Sequence, residues 1–181
     1  MTLWADADSL PREVKELIGR RAGSSTGDFP IRAVFVANRP LPLPPGKNLQ
    51  AVIVGKAAAQ AGGLSTQPER DTLERDTLER DTADDYIIAS AAPGDILVTR
   101  DIPLAARALE RGLVALNDRG VIWTADSARE RASVRDHMAA LRELGVAPPL
   151  PKGRLFDRKD LKAFADALDK AIRAAMNAQR R

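Results

Sequence analysis

The sequence places two carboxylates at the end of its first apolar segment, which we predict to be a buried strand over Leu3–Ala7. Asp6 and Asp8 are two residues apart, and alternate residues of a strand point to the same face. Like charges this close resist joint ionisation unless a cation lies between them, and Mg²⁺ is the usual hard cation for clustered oxygen ligands. The spacing therefore indicates a metal or phosphate site, with an aspartate-rich turn between strand and helix as the simpler alternative.

Further polar side chains occur where other predicted strands end or helices begin. These residues are Asp84 and Asp85 at the start of one helix, Asp101 after a strand, and Asn117 with Asp118 after another strand. In a parallel sheet the ligand site lies at the carboxyl ends of the strands, where the winding reverses. We therefore expect these groups to share one edge of the sheet. Asp101 precedes Ile102-Pro103, so its simpler alternative role is that of a helix N-cap.

Strands and helices alternate along the chain, which predicts a three-layer α/β/α fold with a mostly parallel central sheet. The predicted strands are Leu3–Ala7, Ile31–Val36, Ala51–Val54, Asp95–Thr99, Val114–Leu116 and Val121–Trp123. The predicted helices run from Pro11 to Arg21, over Ala83–Ala91, over Ile102–Arg111, from a capping box at Ser127–Glu130 to Leu144, and onward from a cap at Asp157. Gly112 is expected to end the third helix as a C′ glycine.

The length of 181 residues suits one domain with a sizeable core. We assign residues 1–150 to the α/β domain and residues 151–181 to a C-terminal helix packed on that same domain. Residues 56–82 are predicted to be a charged, low-complexity insertion, which contains the repeat Arg-Asp-Thr-Leu-Glu. The period of this repeat matches neither a helix nor a strand, so its leucines form no apolar stripe. We interpret the insertion as solvated and without chemistry of its own.

The composition excludes several classes of protein. No cysteine is present, which rules out a disulfide framework, a thiolate zinc site and a cysteine nucleophile. The sequence shows no signal peptide and no apolar run of about 20 residues, so we expect a cytoplasmic protein with no membrane partner. The net charge of +3 is too small to indicate nucleic-acid binding by itself. The basic residues of the last helix either contact phosphate or form a solvated face.

Several motifs, in order along the chain, resemble one known family. They are D-A-D-x-x-P at Asp6–Pro11, V-A-N at Val36–Asn38, A-D-D-Y-I at Ala83–Ile87, P-G-D-I-L-V-T-R-D-I-P-L-A at Pro93–Ala105, A-L-N-x-R-G at Ala115–Gly120, R-E-R-x-x-x-R-D at Arg129–Asp136 and F-A-x-A-L-D at Phe164–Asp169. The family is YaiI/YqxD, a group of uncharacterised bacterial proteins. The resemblance covers nearly the whole chain except residues 56–82. The family often has cysteine where this chain has Leu10, so that thiol cannot be needed here.

This family is similar in fold to PIN-like domains, in which acids at strand ends hold Mg²⁺ or Mn²⁺ for phosphodiester hydrolysis. The resemblance therefore implies a PIN-like α/β domain and a metal-dependent nuclease that cleaves RNA in preference to DNA. By this analogy the catalytic residues are Asp6, Asp84 and Asp101, the metal ligands are Asp6, Asp8, Asp85 and Asp101, and the substrate-binding residues are Asn117, Arg131 and Arg135. PIN-like domains frequently pair, so the resemblance also implies a homodimer.

Three arginines have alternative roles. Arg131 and Arg135 are four residues apart on one predicted helical face, and they either bind phosphate or pair with neighbouring acids. Arg100 lies beside Asp101 and is a candidate counter-ion for it.

Two other functions stay open at the level of sequence. A haloacid-dehalogenase-like phosphatase also begins with a strand and D-x-D, in which the first aspartate attacks phosphorus. Its late acidic pair is expected after the strand that ends at Thr99, whereas Asp84-Asp85 precede that strand. A non-catalytic module that binds RNA or a protein partner would use the basic last helix. A Rossmann-type cofactor enzyme is disfavoured, because no G-x-G-x-x-G follows the first strand.

Overall fold

The computed structural model describes residues 1–24, 30–40, 46, 48–54, 82–145 and 155–179. The strands are β1 (Thr2–Asp6), β2 (Arg32–Ala37), β3 (Leu49–Ile53), β4 (Ile96–Val98) and β5 (Val114–Leu116). The helices are α1 (Arg12–Gly23), α2 (Ala83–Ser90), α3 (Ile102–Glu110), α4 (Ala125–Glu143) and α5 (Arg158–Gln179). The predicted insertion at residues 56–82 lies outside the described residues, apart from Thr82 next to α2.

The strands of the described residues form one parallel sheet in the order β3-β2-β1-β4-β5. The chain runs outward from β1 to β3, then returns across the sheet and places β4 on the other side of β1. The winding therefore reverses between β1 and β4, and the crevice at their carboxyl ends is the usual ligand site in such sheets. Ala5 of β1 is in register with Val98 of β4. The next residues, Asp6 at the end of β1 and Thr99 just after β4, therefore lie side by side at the edge of the sheet.

Both faces of the sheet are covered by helices. Leu3 and Ala5 pack with α1 and α5 on one face, where Phe35 and Phe164 are fully buried. Trp4 points to the other face and packs with α2 and α3. Successive residues of a strand alternate between the two faces, and apolar residues on both faces are typical of a parallel sheet buried between two helical layers. The predicted three-layer α/β/α fold is confirmed.

Helix α3 begins and ends at the residues that the sequence indicates. Asp101 is its N-cap, and Oδ1 of this residue accepts a hydrogen bond of 3.0 Å from the backbone N–H of Leu104. At the other end Gly112 has a φ of +78°, and the N–H groups of Gly112 and Leu113 each donate a 3.0 Å hydrogen bond to a carbonyl of α3. This is a Schellman motif. The C′ role of Gly112 is confirmed, and Asp101 fills the capping role that was its simpler alternative.

Two local predictions are wrong. Val121–Trp123 is not a strand: it meets β5 through one isolated antiparallel bridge, between Leu116 and Ile122. The capping box predicted at Ser127–Glu130 lies one turn too late. Thr124 is the N-cap of α4, and its side chain and that of Ser127 accept hydrogen bonds from each other's backbone N–H at 3.1 and 2.9 Å. Ser127 at the third helical position thus closes the capping box, a role that the prediction gave to Glu130.

Helix α5 packs on the same core as the sheet. Its Phe164 and Leu168 are fully buried among residues of β1, β2 and α1. Oδ1 of Asp157 accepts hydrogen bonds from the backbone N–H groups of Lys159 and Asp160 at 2.8 and 3.0 Å, which is the cap that the sequence indicates. No helix within the described residues combines the length and the apolar character that a membrane span requires.

Candidate functional site

The carboxyl ends of β1 and β4 are joined through the hydroxyl of Thr99. Asp6 is the last residue of β1 and is buried, and Thr99 follows β4 and is also buried. The Thr99 hydroxyl donates a 2.8 Å hydrogen bond to Oδ2 of Asp6 and accepts a 2.9 Å hydrogen bond from the backbone N–H of Asp101. One side chain therefore fixes two of the predicted site residues relative to each other, at the point where the winding of the sheet reverses.

Asp84 joins Asp6 and Asp101 from the first turn of α2. Partial burial raises the pKa of Asp84, and the negative charges of Asp6 and Asp101 raise it further, against a smaller lowering by Arg107. The three carboxylates, which we call the carboxylate centre, therefore share one electrostatic environment although they come from three elements. Among the described residues, no lysine or arginine lies within ion-pair distance of any of the three.

The raised pKa of Asp84 predicts that the ionised carboxylate of this residue lowers the stability of the folded state at neutral pH. As pH rises past 3.8, the unfolded chain releases the Asp84 proton before the folded chain does, so the folded state loses stability until its own pKa is passed. In EDTA, Asp84→Asn is expected to be more stable than the wild type at pH 7. This gain is expected to vanish below pH 3.8, because the aspartate is then protonated in both states. Urea denaturation at several pH values measures it.

Asp85, the next residue, supplies the control for this experiment, because its pKa is shifted in the opposite direction. Hydrogen bonds from Arg107 and Thr82 lower the pKa of Asp85, so its ionised form stabilises the folded state at neutral pH. Asp85→Asn is expected to destabilise the protein at pH 7, and the difference should disappear as pH falls through the lowered pKa. Equal effects of the two substitutions at pH 7 would contradict the electrostatic account of Asp84.

The two remaining predicted metal ligands lie beside the carboxylate centre and have other partners. Asp8 follows the end of β1, in a turn, and its carboxylate accepts hydrogen bonds from the N–H and side-chain amide of Asn38 (2.7 and 3.1 Å) and from Nε of Arg39 (3.0 Å). Asp85 accepts hydrogen bonds from Arg107 at 2.7 Å and from the Thr82 hydroxyl at 2.9 Å. Asp6 therefore binds the end of β4 whereas Asp8 binds the end of β2, on opposite sides of β1. Metal binding by Asp8 and Asp85 stays a prediction.

The predicted substrate-binding residues are spread over β5 and α4. Asn117 follows β5, and its Oδ1 accepts 2.9 Å hydrogen bonds from the backbone N–H groups of Arg119 and Val121, which shapes the following turn. The guanidinium of Arg131 lies 5.2 Å from the ring centroid of buried Trp123, a cation–π contact. Arg135 lies on the exposed side of α4. Substrate binding by Asn117, Arg131 and Arg135 stays a prediction.

Two features of the site escape sequence reasoning. Thr99 was recognisable only as a hydroxyl two residues before the N-cap Asp101, and its bond to Asp6 joins residues 93 positions apart. Arg100 was a candidate counter-ion of Asp101, but among the described acids it forms its ion pair with Asp118, with Nε and Oδ2 3.6 Å apart. Consecutive residues beyond a strand end point in different directions, so neighbours in sequence do not have to pair.

The carboxylate centre fits one kind of metal site and not another. Within the described residues, no three aspartate, glutamate or histidine side chains converge closely enough to form a metal cage. The bonds described above engage one oxygen each of Asp6 and Asp101. Mg²⁺ usually keeps several waters and binds to one or two carboxylates together with phosphate oxygens of a substrate. The residues present fit an ion completed by water and phosphate, and they do not fit a site built from protein ligands alone.

The comparison with known proteins identifies the family. A family model described as "Uncharacterized BCR, YaiI/YqxD family" matches residues 69–174, which is more than half of the chain. The chain belongs to the YaiI/YqxD family. A UPF0178 protein of Treponema pallidum (strain Nichols) is 38% identical over 181 residues, which cover 100% of this chain and 86% of that relative. A UPF0178 protein of Yersinia pestis (strain Pestoides F) is 35% identical over 177 residues, which cover 98% of both chains. No solved structure gives a significant match. Since the YaiI/YqxD family is uncharacterised, its name carries no activity, and the function must be argued from the site.

Proposed function

We propose that this YaiI/YqxD-family protein is a Mg²⁺- or Mn²⁺-dependent nuclease that hydrolyses phosphodiester bonds, in RNA in preference to DNA. The observation that carries the proposal is the link that Thr99 makes between Asp6 and Asp101 at the switch point between β1 and β4, with Asp84 near enough for both charges to raise its pKa. None of the three carboxylates forms an ion pair with a lysine or arginine of the described residues, so a bound cation could relieve the repulsion that Asp84 experiences from Asp6 and Asp101.

Each residue of the carboxylate centre has a distinct task in this proposal. Asp6 and Asp101 hold the ion, and Thr99 keeps them in place through its two hydrogen bonds. Asp84 faces both of them from α2 and completes the negative environment. When bound, the ion lowers the pKa of an attacking water and neutralises charge that develops on the phosphorus oxygens.

The phosphatase alternative is disfavoured by the contacts of Asp8. That mechanism requires the second aspartate of D-x-D to exchange a proton beside the first. The Asp8 carboxylate instead accepts three hydrogen bonds from Asn38 and Arg39 at the end of β2, whereas Asp6 is bound from β4. The two aspartates therefore serve different neighbours.

Metal binding and metal-dependent cleavage test the proposal. Mn²⁺ and Mg²⁺ are titrated into the full chain by calorimetry, and cleavage of a 5′-labelled single-stranded RNA and the matching DNA is followed on denaturing gels. We expect heat from Mn²⁺ binding, cleavage of RNA with Mn²⁺ or Mg²⁺, and none in EDTA. The folded protein failing to cleave either polymer with millimolar Mn²⁺ would overturn the nuclease proposal. Retained RNA binding in that case would support the non-catalytic module.

A further inference from the structure

Three arginines lie near the same edge of the sheet as the carboxylate centre, and each is paired with an acid that lies outside it. Arg39 follows β2 and pairs with Asp8 (Nε to Oδ1, 3.0 Å). Arg107 of α3 pairs with Asp85 (Nη2 to Oδ1, 2.7 Å). The third, Arg100, follows β4 and pairs with Asp118 at 3.6 Å. We call these three residues the edge arginines, because all lie near the carboxyl edge of the sheet.

The edge arginines are exposed and weakly held. The side chains of Arg39, Arg100 and Arg107 keep 75%, 56% and 44% of their accessible surface. Each described ion pair uses one nitrogen of a guanidinium that carries five N–H donors. The carboxylates of Asp8 and Asp85 keep 26% and 48% of their surface, so the ion pairs of Arg39 and Arg107 are solvated and contribute little stability. Asp118 is buried, but its ion pair with Arg100 is long, at 3.6 Å. Guanidinium binds phosphate with two parallel hydrogen bonds, which none of these single-nitrogen ion pairs provides.

Their attachment points lie on both sides of Asp6. Arg39 follows β2 and Arg100 follows β4, and β1 lies between these strands. Neighbouring strands are about 4.8 Å apart, so the two backbone positions are separated by roughly 10 Å across the sheet edge. The N–H of Arg100 donates a 3.3 Å hydrogen bond to the Ser9 hydroxyl, which anchors its backbone to the turn after β1. The three guanidinium groups are held by three different carboxylates along this edge, so they offer separate positions for phosphate, as a chain of phosphates requires.

We propose that Arg39, Arg100 and Arg107 bind successive backbone phosphates of a polynucleotide and thereby lay it across Asp6, Asp84 and Asp101. This inference rests on the proposed function, since it names the contacts that would bring a phosphodiester to the carboxylate centre. It also gives the edge arginines a role, because the negative charge of the carboxylate centre would otherwise repel a polynucleotide. The peripheral acids Asp8, Asp85 and Asp118 hold the guanidinium groups near the edge until phosphate replaces them. The contacts are to the backbone, so they carry no base specificity.

The salt dependence of binding tests the inference without requiring cleavage. Fluorescence anisotropy measures binding of labelled single-stranded RNA, and of DNA for comparison, in EDTA at several salt concentrations. A plot of log K against log salt concentration has a negative slope. For single strands, each lost phosphate contact reduces the magnitude of this slope by about 0.7. We expect this decrease for each of Arg39→Gln, Arg100→Gln and Arg107→Gln, and a decrease of about 2 for the triple variant.

Arg21→Gln is the matched control. Arg21 is 44% exposed like Arg107 and pairs with Asp169 through two bonds of 2.7 and 2.8 Å, but it lies in the last turn of α1, at the opposite edge of the sheet. Slopes for the edge variants that equal the slope for Arg21→Gln would overturn the inference, even if the wild type cleaves RNA. Absence of any polynucleotide binding by the wild type would overturn it as well. Reduced slopes with no cleavage in any metal would support the inference while the nuclease proposal fails.

Discussion

The substitutions Asp6→Asn and Asp101→Asn are each expected to reduce metal-dependent RNA hydrolysis about 100-fold, a loss of about 2.7 kcal/mol of transition-state stabilisation. Asparagine removes one negative charge at nearly constant shape, so the affinity of the carboxylate centre for a divalent cation falls. The hydrogen bonds that position the site can persist. An asparagine oxygen at position 6 still accepts from Thr99, and asparagine at position 101 is as good an N-cap for α3 as aspartate. Initial cleavage rates and Mn²⁺ titrations of each variant measure the loss.

The control for these variants is Asp126→Asn, which removes the same charge at a remote position. Asp126 lies in the first turn of α4, its side chain is 94% exposed, and its partner is Arg129 at 2.8 Å. Its cleavage rate and Mn²⁺ affinity should equal those of the wild type. Thermal melts in EDTA establish that all three variants fold. Folded Asp6→Asn and Asp101→Asn proteins with undiminished rates would show that hydrolysis occurs elsewhere.

The sheet and its ligand edge follow from local sequence patterns. Apolar segments bounded by turns predict parallel strands, and the carboxyl ends of such strands meet at one edge whatever the strand order is. This geometry places Asp6, Asp84 and Asp101 at that edge, and Asp6 and Asp101 become neighbours because β1 and β4 are adjacent. The position of the switch point was not predictable from these patterns, because the order β3-β2-β1-β4-β5 depends on how whole helices pack.

The side-chain partners at the site could not be predicted, because they depend on where each strand ends. β1 ends at Asp6, one residue earlier than predicted, so Asp8 lies in a turn and no longer follows the two-residue alternation. It therefore meets Asn38 and Arg39, some thirty residues away, and not the end of β4. Asp101 has both of the roles that the sequence offered as alternatives. One of its oxygens caps α3, and its negative charge acts on Asp84 in the carboxylate centre.

Gly120→Ala is expected to destabilise the protein by about 2–5 kcal/mol, from a left-handed backbone that costs roughly 1–2 kcal/mol and a steric overlap that costs roughly 1–3 kcal/mol. Gly120 has a φ of +81°, and a Cβ atom there would lie 2.4 Å from the carbonyl oxygen of Ala163 and 2.9 Å from the nitrogen of Phe164. These are backbone atoms of α5, which cannot move away alone because Phe164 is fully buried in the core. The turn after β5 therefore touches α5 directly, and Arg119 reinforces the contact through a 3.0 Å ion pair with Asp160.

Gly94→Ala separates the two contributions. Gly94 has a similar φ of +87°, but no atom lies within 4 Å of the position that its Cβ would take. This variant should lose only the left-handed contribution, about 1–2 kcal/mol. Urea denaturation of both variants gives the difference, which is the cost of the contact between the turn and α5. Equal losses would mean that the turn moves away from α5 freely. A larger loss for Gly120→Ala would show that the segment carrying Asn117 is held rigidly against the core, so that Asn117 keeps a fixed place at the carboxyl edge of the sheet.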